Sequence, residues 1–347
     1  MKKILMTCAS VGVALSMLAA CGSDTSSQSE EASTGGNEAV THAMVFKNTG
    51  NPYGEKMMEG FEEAIQEVGG DVILRSPDQP TAEGQIQIIE QLITQQVDSI
   101  TIAGNDEDAL QPVLKKAMDQ GIKVLSVDSA VNAGSRMVHV NQANPESIGR
   151  TLIEATADMI DFEGEIAVLS ATSQAANQNI WIEYMQKELE DPIYENIELV
   201  KIAYGDDLRD KSTSETEALL LQYPDLKAII SPTTVGIAAA GKVLTDKGLS
   251  GEIALTGLGL PSEMATYIEN GVTPAMFLWN PIDVGYAAGM TAHALAEEEI
   301  LGEVGDSYEA GKLGEKEITE DGEGTEVLLG DPFRFDVNNI EEWKEVY

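Results

Sequence analysis

Apolar residues in this chain recur in two alternating rhythms. Short aliphatic and β-branched runs predict strands at 43–47, 71–74, 99–103, 123–127, 165–170, 199–203, 228–231, 253–256 and 275–279. Between them, apolar positions three and four apart predict helices over 54–68, 81–95, 108–120, 145–160, 212–222 and 235–247. Within 81–95, Ile86, Ile89, Leu92 and Ile93 form one stripe, while Gln85, Gln87, Glu90 and Gln91 are expected toward water. Strands alternating with amphipathic helices are the pattern of βα units, and so of an α/β fold with parallel sheets.

The rhythm is missing at the start. Lys2 and Lys3 precede an apolar stretch over 4–17, which is too short for a membrane span of about 20 residues. Leu18-Ala19-Ala20-Cys21 follows. A basic start, an apolar run and small residues before a cysteine predict a signal peptide over 1–20, cut so that Cys21 becomes an acylated N-terminus. The plainer alternative is an ordinary signal peptide with an incidental cysteine. Residues 22–40 are rich in Ser, Gly, Thr and Glu and offer almost nothing to bury, so 21–40 is expected to be a lipidated, flexible, acidic linker. The folded body, 41–347, is expected outside the cytoplasm and lipid-anchored to the cell membrane.

Composition narrows the partners. With 43% hydrophobic residues the chain is ordinary globular material, long enough for two lobes with separate cores. Its 59 acidic against 21 basic residues give a net charge of −38, which repels nucleic acid and anionic lipid headgroups. Of the 2 cysteines, Cys8 leaves with the leader and Cys21 takes the lipid, leaving no thiol for a disulfide, a metal or a nucleophile.

In parallel sheets ligands bind beyond the carboxyl ends of the strands. Those tips carry Lys47-Asn48-Thr49, Asn105-Asp106, Asp128-Ser129, residues 172–179, Pro232-Thr233-Thr234 and Trp279-Asn280, with Trp181 just beyond. An amine, a carboxylate and several amides offer directed bonds to hydroxyls, and an indole covers the C–H face of a sugar ring. Each residue also has a bland role: Lys47 on the surface, Asp128 capping a turn, Asn177-Gln178-Asn179 as a polar loop, Trp181 and Trp279 as core fillers. The residues alone leave that choice open.

Catalytic patterns are weaker. His42, His139 and His293 stand apart, with no HExxH or paired cysteines, and no G-x-S-x-G occurs. The run from Gly236 through Gly241-Lys242 matches a phosphate loop until Val243, which lacks the required hydroxyl, and its alanines read as helix interior. Gly257-Leu258-Gly259 is a lone fragment of a dinucleotide fingerprint, and the acidic stretch 297–326 lacks EF-hand spacing. No enzyme activity, cofactor or metal is expected.

Taken together, Met44-Val-Phe-Lys47, Thr81-Ala-Glu-Gly-Gln85, Asn105-Asp106, Val127-Asp128-Ser129, Asn177-Gln178-Asn179-Ile-Trp181, Pro232-Thr-Thr-Val-Gly236 and Thr256-Gly-Leu-Gly-Leu-Pro-Ser-Glu-Met264 resemble the solute-binding proteins of sugar ABC importers. The rhamnose-binding and autoinducer-2-binding members of the ribose-binding-like superfamily are the most similar, over about 42–347. The resemblance implies the type I periplasmic binding protein fold, two Rossmann-like lobes joined by three crossovers. Crossovers near Asn141-Gln142, near Trp279-Asn280 and around 308–314 would divide the body into 41–141 plus 280–308 and 142–279 plus 309–347.

The same resemblance places Lys47 and Asp128 of one lobe, and Asn177, Gln178, Pro232 and Thr234 of the other, around the ligand, with Asn105, Trp181, Trp279 and Asn280 as further candidates. The familiar autoinducer-2 pattern has an acid at the position of Asn177 and an alanine at that of Thr234. The Asn-Gln-Asn-Ile-Trp run looks more like rhamnose binders, and an amide still serves a hydroxyl, so both ligands stand. The implied role is capture by hinge closure and delivery to an ABC permease by a monomer. A receptor docking on a sensor kinase or chemoreceptor is the second reading, and a secreted sugar-modifying enzyme the third. A cytoplasmic repressor of this fold would need a basic helix-turn-helix ahead of the first strand, and none is present.

Overall fold

The computed structural model describes residues 39–347; the leader, Cys21 and nearly all of the linker lie outside the described residues. The first part of the body runs β1 (Thr41–Val45), α1 (Pro52–Glu67), β2 (Asp71–Arg75), α2 (Ala82–Gln95), β3 (Ser99–Ile102), α3 (Gln111–Asp119), β4 (Lys123–Val127) and β5 (Val138–Asn141). The second runs α4 (Pro145–Met159), β6 (Gly164–Ser170), α5 (Ala176–Glu188), β7 (Ile197–Tyr204), α6 (Arg209–Gln222), β8 (Leu226–Ser231), α7 (Thr234–Asp246), β9 (Ala254–Gly257), α8 (Pro261–Glu269) and β10 (Ala275–Leu278). The chain closes with α9 (Pro281–Ala296), β11 (Ser307–Glu309), β12 (Glu315–Glu317), β13 (Thr319–Asp321), β14 (Gly324–Leu328), β15 (Phe333–Asp336) and α10 (Ile340–Trp343).

Two sheets result. The first has the order β13-β14-β5-β4-β3-β1-β2, parallel except for the β13–β14 hairpin. The second, β7-β6-β8-β9, is all parallel, and β10 joins its β9 side through a Leu258–Phe277 bridge while pairing antiparallel with β15. Strand β1 shows why helices cover both faces. Ala43 and Val45 pack into the cluster under α2 and α3, whereas Met44 and Phe46 join the larger core with Met57 and Phe61 of α1.

Helix entries set the loop geometry. Asn51-Pro52, Asn144-Pro145 and Asn280-Pro281 each pair an N-cap asparagine with a proline in the first turn, and each amide oxygen accepts a backbone N–H of the new helix. The near-match to a phosphate loop lies inside α7, with Gly236 to Gly241 all buried. No helix among the described residues is long and apolar enough to cross a membrane.

The chain passes between the sheets after β5, after β10 and after β14. The third passage departs from expectation. Residues 309–347 do not all belong to the second lobe: β14 pairs with β5 of the first sheet, and only at Phe333 does the chain join β10. The crossing therefore lies at 329–332, because Val327 and Leu328 pair with β5, whereas Ser307–Glu309 turns back to pair with Glu315–Glu317 in a separate hairpin. It is laced to the first crossing, since Leu329 N donates to Asn141 O at 3.0 Å and Asn144 N to Gly330 O at 2.9 Å.

Candidate ligand-binding site

In each sheet the strand order reverses beside a central strand, β1 in the first and β6 in the second. Loops leaving such a point on opposite sides open a crevice at the carboxyl ends of the strands. The two crevices face each other around a small cavity of about 40 Å³, lined by Lys47, Tyr53 and Asp128 from the first lobe and Asn177, Gln178, Trp181, Asp207, Pro232, Thr233 and Thr234 from the second. Trp279, at the second crossing, completes it with Phe46, Leu258 and Leu278.

At its centre Lys47 Nζ lies 3.1 Å from Asp128 Oδ2, with side chains 7% and 5% exposed. Asn177 bridges the lobes: its Oδ1 accepts from Lys47 Nζ at 3.4 Å and its Nδ2 donates to Asp128 Oδ2 at 3.1 Å. Tyr53 O–H donates to Asp128 Oδ1 at 3.1 Å, and Trp279 Nε1–H donates to the Tyr53 oxygen at 2.6 Å. Burial, then the adjacent Asp128 carboxylate, hold the Tyr53 phenol well above its usual range, so it remains a donor. Burial likewise raises the Asp207 carboxyl, against the Lys47 charge and the Thr233 hydroxyl that donates to it.

Backbone geometry makes this cluster possible. Asp128 has φ of 60°, a left-handed conformation that Asp and Asn adopt more readily than most residues, and it turns the carboxylate off the end of β4. Asn51 caps α1 by accepting from Tyr53 N and Gly54 N, which fixes Tyr53 in the first turn facing the crevice. Gln178 is held by its Oε1, which accepts from Ser170 Oγ at 2.7 Å and Ala171 N at 2.8 Å. Trp181 and Trp279 meet edge to face, ring centres 5.8 Å apart.

The other candidates fall elsewhere. Asn105 lies beneath the site, its amide donating to Lys47 O at 2.8 Å, so it braces the strand tip. Asn280 caps α9 through Ile282 N and donates to Asp283 Oδ2, outside the cavity lining. Gln85, expected toward water, is 0% exposed. Its Nε2 donates to Phe46 O and Ala103 O and its Oε1 accepts from Asn105 N, tying the ends of β1 and β3 together. Tyr53 and Asp207 were not among the candidates. Their signals were Asn51-Pro52 opening a helix just after a strand tip, and Gly205-Asp206-Asp207 directly after the strand that ends at Tyr204.

Buried ion pairs are a poor source of stability, because desolvation offsets their attraction. A lysine, a carboxylate and amides held between two lobes, beside two indoles, instead suit a hydroxylated solute with an apolar face. Two parallel-sheet lobes, three crossings and such a cleft define a two-lobed solute-binding protein.

Residues 42–300 match the periplasmic binding protein domain. The chain belongs to that family, among the solute-binding proteins of sugar ABC transporters. A solute-binding protein of Clostridium phytofermentas, solved with bound L-rhamnose, is 46% identical, with TM-score 0.87, covering 89% of this chain and 99% of that one. LsrB of Clostridium saccharobutylicum, in complex with AI-2, shares the fold at 22% identity and TM-score 0.83, covering 88% of this chain and 99% of that one. The D-ribose/D-allose-binding protein of Pseudomonas aeruginosa is 25% identical over 223 residues, 62% of this chain and 69% of its own length. Such proteins bind small sugars outside the cytoplasm and deliver them to a permease, and they are transport binding proteins rather than enzymes.

Proposed function

We propose that this chain captures L-rhamnose between its lobes and hands it unchanged to an ABC permease. The 46% identity to the rhamnose-bound protein, across 99% of that chain, carries the reading. The site agrees chemically. Lys47, Asp128, Asn177 and Asp207 offer charge-assisted and amide bonds to ring hydroxyls, while Leu258, Leu278 and the two indoles offer an apolar wall for a deoxy sugar's methyl group. A cavity of about 40 Å³ holds only a few waters, so a sugar enters by parting the lobes and is bound as they close. Closure presents both lobes to the permease together, as a monomer tethered by lipid on Cys21, which lies outside the described residues.

Calorimetry of the body after removal of carried-over ligand tests this. Heat with L-rhamnose near micromolar affinity, about −8 kcal/mol, is the expected result. Heat with autoinducer-2 alone would replace the ligand, and conversion of the sugar would replace the class. Normal rhamnose uptake in a strain lacking this protein, with loss of a transcriptional response to rhamnose, would point to a sensor role.

A further inference from the structure

A second chamber of about 510 Å³ adjoins the small central cavity. The two share Asp128, Asn177 and Trp181, so the partition between them is the Asn177–Asp128 hydrogen bond with one indole beside it. Such a wall of side chains yields to a ligand that takes over that bond. Beyond it, Gln142 borders the chamber at the first crossing; it is 2% exposed, and neither its Oε1 nor its Nε2 has a hydrogen-bond partner. A buried amide with both ends unsatisfied is costly unless something completes it. Gln174 and Asn179 add donors and acceptors on the opposite wall, and Trp181 and Ile180 add apolar surface. The charged lining is acidic, with Asp106, Glu107, Asp108, Glu183 and Asp321.

We propose that the cleft accepts a rhamnose-terminated disaccharide, the rhamnosyl ring in the central cavity and a second, neutral sugar ring in the adjoining chamber, its hydroxyls paired with Gln142. This rests on the rhamnose reading above. The glycosidic oxygen crosses the partition where Asn177 and Asp128 now bond. The acidic lining sets the choice of second ring: a neutral hexose enters, and a uronate is repelled.

The test is a titration of the purified protein with L-rhamnose, with rutinose as the neutral rhamnosyl-glucose, and with a rhamnosyl-galacturonate. Rutinose should bind at least as tightly as rhamnose and the uronate far more weakly. Gln142→Met should weaken rutinose by about tenfold, the worth of one or two hydrogen bonds, with rhamnose unchanged. Ala130→Phe, which fills the chamber from its half-buried edge, should block rutinose and spare rhamnose. Binding of rhamnose without rutinose overturns the chamber and leaves the rhamnose reading intact. Binding of rutinose alone keeps the chamber and overturns the monosaccharide as ligand, and silence with all three overturns both.

Discussion

The indole N–H of Trp279 donates to the Tyr53 oxygen at 2.6 Å, and Tyr53 in turn donates to Asp128. A residue at a chain crossing is thereby linked through one phenol to the carboxylate at the centre of the site. Tyr53→Phe removes both bonds and leaves the buried Trp279 N–H without a partner, at about 1–3 kcal/mol, while Asp128 loses its Oδ1 donor and keeps Lys47 and Asn177 on Oδ2. Affinity should fall at least about tenfold, and the tryptophan emission change on ligand addition should shrink. An unchanged titration would show that the relay does not serve binding.

Asp128→Asn keeps a residue suited to positive φ while removing the charge that faces Lys47. Losing the charge-assisted bond that the carboxylate offers a ring hydroxyl is worth about 1.5–3 kcal/mol, so sugar binding should weaken by about tenfold to a hundredfold by calorimetry while the circular dichroism spectrum is retained. Retained affinity would remove Asp128 from the site.

Stability should decline with acid. Burial, with His293 adding to it, depresses His42 to about 4; burial, with Arg136, depresses His139 to about 3. The unfolded chain takes up both protons near 6.5. The stabilisation is therefore complete above about pH 6.5 and is lost as pH falls toward 4, by an order of several kcal/mol. Burial raises the carboxyls of Asp207, Glu107 and Glu326, which oppose this trend once they take up protons. Urea midpoints from pH 7 to 4 test the slope, and His139→Gln should flatten it.

Helices α1 and α9 touch at glycines. A Cβ on Gly285 would lie 1.8 Å from Met57 O, and one on Gly60 would lie 1.9 Å from Ile282 O. Gly285→Ala should destabilise the protein by at least about 3 kcal/mol, seen as a lower melting temperature. An unchanged melting temperature would mean that the helices separate freely.

The lipid anchor proposed for Cys21 predicts that Cys21→Ala moves the protein from the membrane fraction to the soluble fraction and abolishes labelling by a radioactive fatty acid. Membrane retention of the variant would assign the tether to another feature.

The inner parallel strands were legible to within a few residues, because strands buried on both faces read as unbroken apolar runs. Strand β5 was not, since Val138-His139-Val140-Asn141 alternates polar residues whose partners, Ser126 and Glu326, come from other strands. The strands after Ile300 are short and acidic and offer no periodicity, which is why the third crossing was placed too early. Of the candidate site, Lys47, Asp128, Asn177 and Gln178 were visible beyond the strand tips from chemistry alone, whereas Asp207, past the tip of β7, was not. Gln85 was misdirected because a polar residue on a helical stripe says nothing of the backbone carbonyls waiting for it.

The lacing of the first and third crossings by two backbone hydrogen bonds leaves the lobes joined by one ribbon and one single strand rather than three loose strings. Such a flexure is stiff to twist and shear and yields mainly in one bending direction. The lobes then have a single coordinate to travel, and the bulk of whatever lies between them is reported as an angle. Under the capture proposed above, a permease gripping both lobes would measure that angle, and a ligand of the wrong size would be rejected by the pose of the receptor at a surface the sugar never touches.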